Sequence, residues 1–570
     1  QSLRALEEIY TAISITLERE DITRARPEEQ PELVRRALAR QRTLLIVDNL
    51  ETVDDEAVLS FLRELPVPTK AVVTTRHRVN VAYPIRLEEM PWEDASKLIR
   101  QECRRKGVTL TDEQAHKLYR RTGGVPLALV WSVAQIGAGY GVDAVLTRLA
   151  KPDGDIARFC FEGTVERIRG TDTYDLMMAL ALFATDASRE TLGLVAGLGQ
   201  DTMSRDDGLV ELERLSLVNK EEDRFSFSPL TRECAIAELE DHPAFEAQAG
   251  RRWLDNLKSR YGSVDTEYYW RWYSFEFIQE GQNILKAIDW ARLHGKAEDV
   301  FVLTAVAYHY LEVAGRWTEA IVYTQQALDL ARSVDDPIAI ARLANILGWI
   351  LRQRGDYQQA IPLFEEALRQ YRKIGSDEGE SIVLHHLSGV FRKLRQFERA
   401  RQLCDQAWVI AERVDLGDLK ALVKTEYGKL ARDMEDWSRA WDYFAQVRDW
   451  FQELAEETPR DEPLARSTWG HLAIVAYHLG RPEQAKELCF RSLEFFKTSG
   501  TKAFLATLYY RLALAEEALG EAETALHHAE VAVDWFERLG MKPDLEQAVI
   551  LLERLATPSV QVSTSRGKNA

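Results

Sequence analysis

The sequence predicts a multidomain, mainly α-helical protein that begins with an incomplete parallel α/β domain and ends in an α-solenoid. Two observations carry this prediction. Two short apolar runs near the N-terminus each end in polar residues, and a helix-pair pattern recurs about every 40 residues in the second half. The 570 residues allow two to four domains, and 46% hydrophobic with 29% charged residues excludes a disordered chain.

The first apolar run, residues 44–47, is typical of a strand buried on both faces of a parallel sheet. It is followed by the polar residues Asp48, Asn49 and Glu51. Ligands of open α/β sheets bind beyond the carboxyl ends of the strands. A carboxylate there can hold Mg²⁺ through water, and a second one can orient a water on a phosphate. The alternative is a buried strand that ends in a turn, which Asp-Asn also favours.

A second apolar run, residues 71–73, predicts another strand, and residues 55–65 predict an amphipathic helix between the two. Strand, helix and strand in this order favour parallel pairing with a right-handed crossover. Arg76 then lies level with Asp48 at the end of the second strand. Its guanidinium could bind a phosphate oxygen, or it could form a salt bridge with Asp48 or Glu51.

Residues 94–149 have helical periodicity that is interrupted by Gly123-Gly124-Val125-Pro126. We expect the glycines to cap one helix and Pro126 to lie in the first turn of the next, where its missing N–H costs little. This local explanation is complete without a ligand.

Short helices are predicted from residue 173 onwards, followed by an apolar strand at 215–218, a charged turn and a strand at 225–227. Helices followed by a β-hairpin are the layout of a winged helix. Winged helices often bind DNA, but the surrounding segment is acidic, so a packing role is predicted.

From about residue 298 the chain repeats with steps of 40, 40, 40, 45 and 40 residues. A small residue recurs at each step, a second follows seven residues later, and a turn position precedes it by five. The first set is Ala320, Ala360, Ala400, Ala440, Ala485 and Ala525, and the turn positions are Gly315, Gly355, Arg395, Glu435, Gly480 and Gly520. Two helices per unit with small residues at their crossing define an α-solenoid.

The repeats resemble tetratricopeptide repeats (TPRs), and the match is best at Leu347, Gly348, Tyr357, Ala360, Phe364 and Ala367. The repeat register places Arg352, Arg392 and Arg432 at the same concave position of consecutive repeats. They are expected to form a groove for an acidic or carboxylate-bearing peptide, or else to pair with neighbouring acids or stay solvated.

The segments LLIVDNLE, VVTTR and GGVPLAL, a winged helix and TPRs occur in the order found in STAND-class P-loop NTPases of the NB-ARC type. The chain resembles bacterial regulators of this class over residues 1–557. The resemblance implies that Asp48 is the Walker B acid that holds Mg²⁺ through water, with Asn49 and Glu51 beside it; Asp48 and Glu51 are the candidate catalytic residues.

The same resemblance implies nucleotide contacts elsewhere. Thr75 and Arg76 would sense the phosphate, and Gly124 and Pro126 would belong to the loop that packs on the adenine. Many relatives place a histidine in the winged helix to touch the ADP phosphate, and Ser228 takes that place here. Serine can donate a hydrogen bond but carries no cation.

The chain contains no G-x-x-x-x-G-K-[ST] loop, which supplies the N–H cradle and the lysine for the phosphates. Mg²⁺ and ADP or ATP are therefore expected in the complete protein, while this chain is expected to bind neither and to show little or no turnover. Because the chain begins with Gln1, we expect a fragment truncated after its Walker A loop. A degenerate member of the class is the alternative.

These observations predict the following domains: 1–92, a partial nucleotide-binding domain; 93–158, a helical ARC-like domain; 159–240, the winged helix; 241–297, a helical linker or degenerate repeat; 298–557, a solenoid of about six TPRs; and 558–570, a disordered tail.

The leading functional hypothesis is a signal-transducing nucleotide switch whose TPRs sense a protein or peptide ligand and which self-associates on activation. The alternative is a non-catalytic TPR scaffold. The net charge of −18 argues against a nucleic-acid partner. Five well-separated cysteines, with no membrane-length apolar run, predict a cytoplasmic protein without a membrane partner.

Overall fold

The computed structural model describes residues 2–48, 50, 56–75, 83–85, 87, 89–149, 156–262, 275–457, 462–499 and 502–556. The chain divides into two compact units. The first comprises Gln1–Asn80, Tyr268–Phe275 and Tyr308–Ala570, and the second comprises Val81–Glu267 and Glu276–Ala307. Within the described ranges, no helix has the length and apolarity needed to cross a membrane.

The N-terminal part of the first unit contains a parallel strand pair. Its elements are α1 (Ser2–Thr16), α2 (Glu20–Arg24), α3 (Gln30–Arg40), β1 (Leu44–Val47), α4 (Glu56–Arg63) and β2 (Lys70–Val73). Leu44 lies opposite Lys70 and Val47 opposite Val73 in the ladder. The predicted parallel strand–helix–strand unit is therefore confirmed.

The prediction that β1 is buried on both faces is wrong. Leu45 packs with Leu38 of α3 and Phe61 of α4 in an apolar cluster that α1 also joins. Leu44 and Ile46, which point to the opposite face, are 59% and 71% exposed. The helices of this part pack on one face, and among the described residues none covers the other.

The second unit is mainly helical and contains one small sheet. Its elements are α5 (Trp92–Lys106), α6 (Asp112–Thr122), α7 (Pro126–Gly137), α8 (Val142–Arg148), α9 (Ile156–Ile168), α10 (Asp172–Ala181), β3 (Ala187–Ser188), α11 (Arg189–Ala196), α12 (Thr202–Arg214), β4 (Asn219–Glu221), β5 (Arg224–Ser226), α13 (Pro229–Glu240), α14 (Pro243–Leu257), a π-helical turn (Lys258–Gly262) and α15 (Phe275–His294). The sheet is antiparallel, with strand order β3-β5-β4.

The hairpin follows the short helices in the predicted order, but its first strand lies further along the chain. The strand predicted at 215–218 is wrong, because Leu215 ends α12 and Leu217 is buried in the core at 1% exposure. The ladder instead pairs Asn219–Glu221 with Arg224–Ser226, which are mostly polar residues. The apolar residues within 215–218 pack the connection between α12 and β4 into the core, and strand pairing begins only after them.

The repeats form the C-terminal part of the chain. Their helices are α16 (Ala297–Val313, with residues up to Ala307 in the second unit), α17 (Trp317–Ser333), α18 (Pro337–Arg354), α19 (Tyr357–Ile374), α20 (Asp377–Lys393), α21 (Phe397–Val414), α22 (Gly417–Asp433), α23 (Trp437–Glu457), α24 (Glu462–His478), α25 (Pro482–Ser499), α26 (Lys502–Leu519), α27 (Ala522–Arg538) and α28 (Lys542–Ala556). Contacts α18–α20, α20–α22, α24–α26 and α26–α28 join the first helices of successive pairs, here called the inner helices.

The repeat register predicted from the sequence is confirmed in detail. The six recurring alanines are at most 1% exposed. All six turn positions have a positive φ, including Arg395 at 59° and Glu435 at 63°, where the sequence has no glycine. The left-handed turn is therefore a property of the repeat geometry and not of the residue that occupies it.

The N-terminal segment, defined here as residues 18–40, contacts both ends of the repeat array within the first unit. The Thr23 hydroxyl donates to the carbonyl of Gly315 in the first turn of the array. At the far end, Arg40 Nη2 lies 2.7 Å from Glu537 Oε1 at the end of α27. This short segment thus ties the first and last helix pairs together.

Candidate functional site

Asp48 lies directly after β1, at the carboxyl edge of the parallel pair, and its side chain is exposed. Thr74, the residue that follows β2, donates its hydroxyl to the Asp48 carboxylate. Thr75 comes next in the chain at the same edge. The parallel register therefore brings a carboxylate and hydroxyl-bearing residues together where ligands of such sheets bind.

The other candidates at this edge, Asn49, Glu51 and Arg76, lie outside the described residues. In the part of the chain that the structure describes, no group of three or more His, Cys, Asp or Glu side chains could hold a metal ion. Asp48 supplies one carboxylate, and the sequence contains no phosphate-binding loop. The described residues therefore do not amount to a nucleotide or magnesium site.

Gly124 and Pro126 lie in the second unit, between α6 and α7. Gly123 has a left-handed conformation and ends α6, and Pro126 is the first residue of α7. A Cβ atom at Gly124, whose φ is +67°, would lie 3.0 Å from the carbonyl oxygen of Met90. The predicted cap and proline start are confirmed, and they have a complete structural explanation.

Ser228 is the N-cap of α13. Its Oγ accepts a hydrogen bond from the Thr231 backbone N–H at 3.3 Å and lies 2.6 Å from the Thr231 hydroxyl. Such a cap satisfies one of the free N–H groups of the helix start. The hydroxyl therefore already has a local role at the place where the resemblance expects a phosphate contact.

The three arginines at the shared concave position have three different environments. The guanidinium of Arg352 lies over the Trp349 ring, 4.9 Å from its centroid. Arg392 is 4% exposed. The Arg432 side chain is 20% exposed and lies 2.7 Å from the carboxylate of Asp433. Equal spacing in the sequence thus places them on the same side of the array but not at the same depth.

Arg392 lies beneath the inner surface in an ion-pair network. Its Nε is 2.6 Å from Glu426 Oε1, and its Nη1 contacts Asp433. Burial would raise the pKa of the Glu426 carboxyl, but the neighbouring Arg392 and Lys429 cations outweigh it and hold that pKa below its ordinary value. This is the pairing with neighbouring acids that the sequence left open.

A cavity of about 380 Å³ opens on the inner helices, between α22, α24, α26 and α28. Arg432 lines it, together with the first residue of α23, Trp437. The apolar part of the lining includes Leu514 and Leu551, which are 7% and 2% exposed. The volume falls at the lower end of the range for small-ligand pockets.

Sequence reasoning missed Arg554, which also lines this cavity. The repeat register does not reach it, because the register position after Glu517 falls on Thr557. The signal that could have found it is helical periodicity within α28. Gln547, Ile550 and Arg554 lie on one face at i, i+3 and i+7, and all three line the cavity.

Comparison with known proteins supports the repeat assignment. The family model of the tetratricopeptide repeat matches residues 301–373 and 464–538, and a second model of the same repeat matches residues 383–414. The chain contains tetratricopeptide repeats. These matches cover parts of the repeat array on both sides of α22 and α23 (Gly417–Asp433 and Trp437–Glu457), whose residues follow the same 40-residue register.

One solved structure is similar over 96% of this chain and 77% of its own. It is a Signal Transduction ATPase with Numerous Domains (STAND) protein with a TPR sensor from Pyrococcus horikoshii, with a TM-score of 0.57 and 18% sequence identity. This similarity shows a shared mostly helical fold with a TPR solenoid.

Two further similarities cover a smaller share of this chain. Human mitochondrial tetratricopeptide repeat protein 19 is 35% identical over 89 residues, which span 16% of this chain and only 22% of that relative. The structure of NprR in complex with its cognate peptide NprX has a TM-score of 0.37 and 14% identity, and covers 56% of this chain and 84% of its own.

Proposed function

We propose that the chain is the sensor-bearing part of a STAND-type nucleotide switch, in which the TPRs bind a protein or peptide ligand. The observation that carries the proposal is the fold similarity to a STAND protein with a TPR sensor over 96% of the chain. The similarity extends over the N-terminal part as well as the repeats. The exposed Asp48 carboxylate at the carboxyl edge of a parallel strand pair supports the proposal independently.

In this proposal the complete protein binds ADP or ATP with Mg²⁺. Asp48 would hold the ion through water, with Asn49 and Glu51 beside it, and the remaining nucleotide contacts would come from the residues that the resemblance assigns: Thr75, Arg76, Gly124, Pro126 and Ser228. The described residues of this chain do not by themselves form the nucleotide site.

The ligand end of the switch is proposed to be the inner surface of the repeats. Of the arginines in register, Arg432 reaches the cavity directly, while Arg392 holds Asp433, which in turn holds Arg432. Arg352 lies beside Trp349 further along the surface. Ligand binding would then free the complete protein to exchange nucleotide and to self-associate.

Calorimetry tests the nucleotide half of the proposal. Titration of ADP and Mg²⁺ into this chain should show little heat, since the loop that holds the phosphates is not in its sequence. In the protein that carries this loop, Asp48→Ala should abolish hydrolysis while the melting temperature is retained. Replacement of the exposed Asp143 by Ala is the matched control and should leave turnover unchanged.

The competing proposal is a TPR scaffold without a nucleotide switch, and the repeat matches alone would satisfy it. Hydrolysis that survives Asp48→Ala would show that the Walker B assignment of Asp48 is wrong. Ligand affinity that is the same with and without ADP in the loop-containing protein would contradict the switch. Only the second result would favour the scaffold.

A further inference from the structure

The cavity between α22, α24, α26 and α28 combines an apolar interior with two guanidinium groups. Ile474 and Leu514 supply aliphatic surface, and the rings of Trp437 and Tyr510 supply aromatic walls. Arg432 and Arg554 line the same cavity. Its volume of about 380 Å³ accommodates one large side chain with the atoms next to it.

The apolar interior is built from packed residues. Leu551 joins Leu514 in a buried cluster, and the partly buried Ile474, Tyr477 and Tyr510 pack against that cluster. The Trp437 ring is also fixed, because His478 stacks on it with the centroids 3.8 Å apart. Rigid aromatic walls bind an aromatic or aliphatic side chain at a low entropic cost.

The arginines at this cavity are held in place and yet accessible. The Arg554 guanidinium donates two hydrogen bonds, of 2.5 and 2.6 Å, to the Glu517 carboxylate. The Arg554 side chain remains 55% exposed. Arg432 is fixed by Asp433. A guanidinium that is oriented in advance recognises a carboxylate with less loss of side-chain entropy.

The charges beside Arg432 favour an incoming anion. Arg392, Lys429 and Arg432 share the two carboxylates of Glu426 and Asp433, which leaves one cation in excess. Burial, together with the nearby arginines and despite Glu426, lowers the pKa of the Lys429 ammonium to about 8. This five-residue network is thus net positive in a chain whose net charge is −18, and the carboxylates of Asp433, Glu517 and Asp544 also lie at or beside the cavity.

We infer that this cavity binds the C-terminal residue of a peptide that ends in a large apolar side chain, with the side chain between Trp437 and Tyr510 and the terminal carboxylate at Arg432 and Arg554. The inference rests on the proposed sensing role of the repeats and names the ligand of that site. A terminal carboxylate is attached to the same Cα as the side chain, so both fit one cavity of this size. The side-chain carboxylate of an Asp or Glu next to the apolar residue is attached to a different Cα, so it lies a residue away from the apolar side chain.

The test is ¹⁹F NMR titration of the full chain with three probes built on 4-fluorophenylalanine (4-F-Phe). They are acetyl-Gly-Gly-(4-F-Phe) as the free acid, its C-terminal amide, and acetyl-Asp-(4-F-Phe)-Gly-amide. The free acid should bind at millimolar concentration or better. The other two should bind at least tenfold more weakly, because each lacks the terminal carboxylate that makes charge-assisted contacts with Arg432 and Arg554. Equal binding of acid and amide, stronger binding of the Asp probe, or no binding of the acid would each overturn the inference.

Variants locate the binding site. Arg554→Gln and Trp437→Ala should each weaken the free acid about tenfold, and Arg554→Gln should reduce its advantage over the amide to the part that Arg432 supplies. Arg491→Gln on α25 is the matched control, because Arg491 is also 55% exposed and paired with a glutamate but lies outside the cavity. An acid affinity unchanged by Arg554→Gln overturns the inference even if Trp437→Ala fails to fold. None of these titrations depends on nucleotide, so a failed Asp48 test leaves them interpretable.

Discussion

The guanidinium of Arg392 and the carboxylate of Glu426 form an ion pair, with 2.6 Å between Nε and Oε1, that joins the inner helices α20 and α22. The two side chains are 3% and 0% exposed. Lys429 and Asp433 complete the network, so each charge has an opposite charge beside it. The pair therefore couples two successive repeats through charges that lie out of water.

Arg392→Met is expected to destabilise the repeats by about 3–5 kcal/mol, because it leaves the Glu426 carboxylate buried without its main partner. Urea unfolding followed by circular dichroism measures the change. Combining Arg392→Met with Glu426→Leu should recover much of the loss, since no uncompensated carboxylate then remains.

The control for this pair is Arg401→Met, which breaks the ion pair between Arg401 and Glu398 on the exposed face of α21. Exposed pairs contribute roughly 0–1 kcal/mol, so unfolding should barely change. Equal losses for Arg392→Met and Arg401→Met would contradict the assigned role of the buried network.

Glu435→Gly is expected to stabilise the chain by about 0.5–1 kcal/mol. Glu435 has a φ of 63° at the turn where other repeats carry glycine. A residue with a Cβ atom is strained in this conformation, and Glu435→Gly removes that strain. The strain removed exceeds the extra chain entropy that glycine loses on folding. Urea unfolding measures the change.

Gln406→Gly in the exposed middle of α21 is the opposite-sign control for the turn. Glycine in a helix interior costs about 1 kcal/mol, so this variant should be less stable. Destabilisation by Glu435→Gly as well would show that the Glu435 side chain contributes more than its backbone strain costs.

The repeat architecture could be predicted from the sequence because its constraints are local and periodic. Small residues at Ala360 and Ala400 follow from the helix crossing, and the turn at Glu435 follows from the same register even without glycine. The parallel pairing of β1 and β2 followed from the strand–helix–strand order. In each case, neighbouring residues in the chain suffice to set the geometry.

The sequence could not predict how deeply each side chain is buried, or which residues far apart in the chain meet at one site. Arg392 and Arg432 share a register position, but only the packing of α22 decides that one is buried with Glu426 and the other borders a cavity. Leu44 looked like a fully buried strand residue, yet it is exposed because helices pack on only one face of β1. Arg554 reaches the cavity from a helix outside the six-position register.

The repeats should lose stability on acidification, and His385 should contribute measurably. His385 is 4% exposed on α20, and burial lowers its pKa to about 3, although Glu426 opposes the shift. Below the ordinary histidine pKa of about 6.5, the unfolded chain therefore binds a proton at His385 that the folded chain does not bind. The free energy of unfolding falls as the pH falls through this range. Between about pH 7.5 and 5.5 this single group should cost about 1.4 kcal/mol.

His385→Gln tests this dependence, because glutamine does not titrate. The difference in unfolding free energy between the two pH values should shrink by about 1.4 kcal/mol relative to the unmodified chain. Gln406→Ala on the exposed face of α21, which changes no titratable group, should leave the difference as it was. An undiminished difference in His385→Gln would assign the acid sensitivity to other groups, such as His386 and His471, whose pKa values burial also lowers.

Removing the contacts of the N-terminal segment at one end of the repeat array should speed amide hydrogen exchange at the other end as well. Thr23 and Gln30 bind the start of the array, where the Gln30 side-chain amide donates to the Thr318 hydroxyl at 2.9 Å. Thr23→Ala combined with Gln30→Ala removes these hydrogen bonds, so amide exchange should accelerate in residues 315–320. It should also accelerate in residues 537–541, because Asp21 packs against the turn at Gly540. Mass-spectrometric hydrogen exchange measures both regions, and acceleration confined to 315–320 would show that the segment does not couple the two ends.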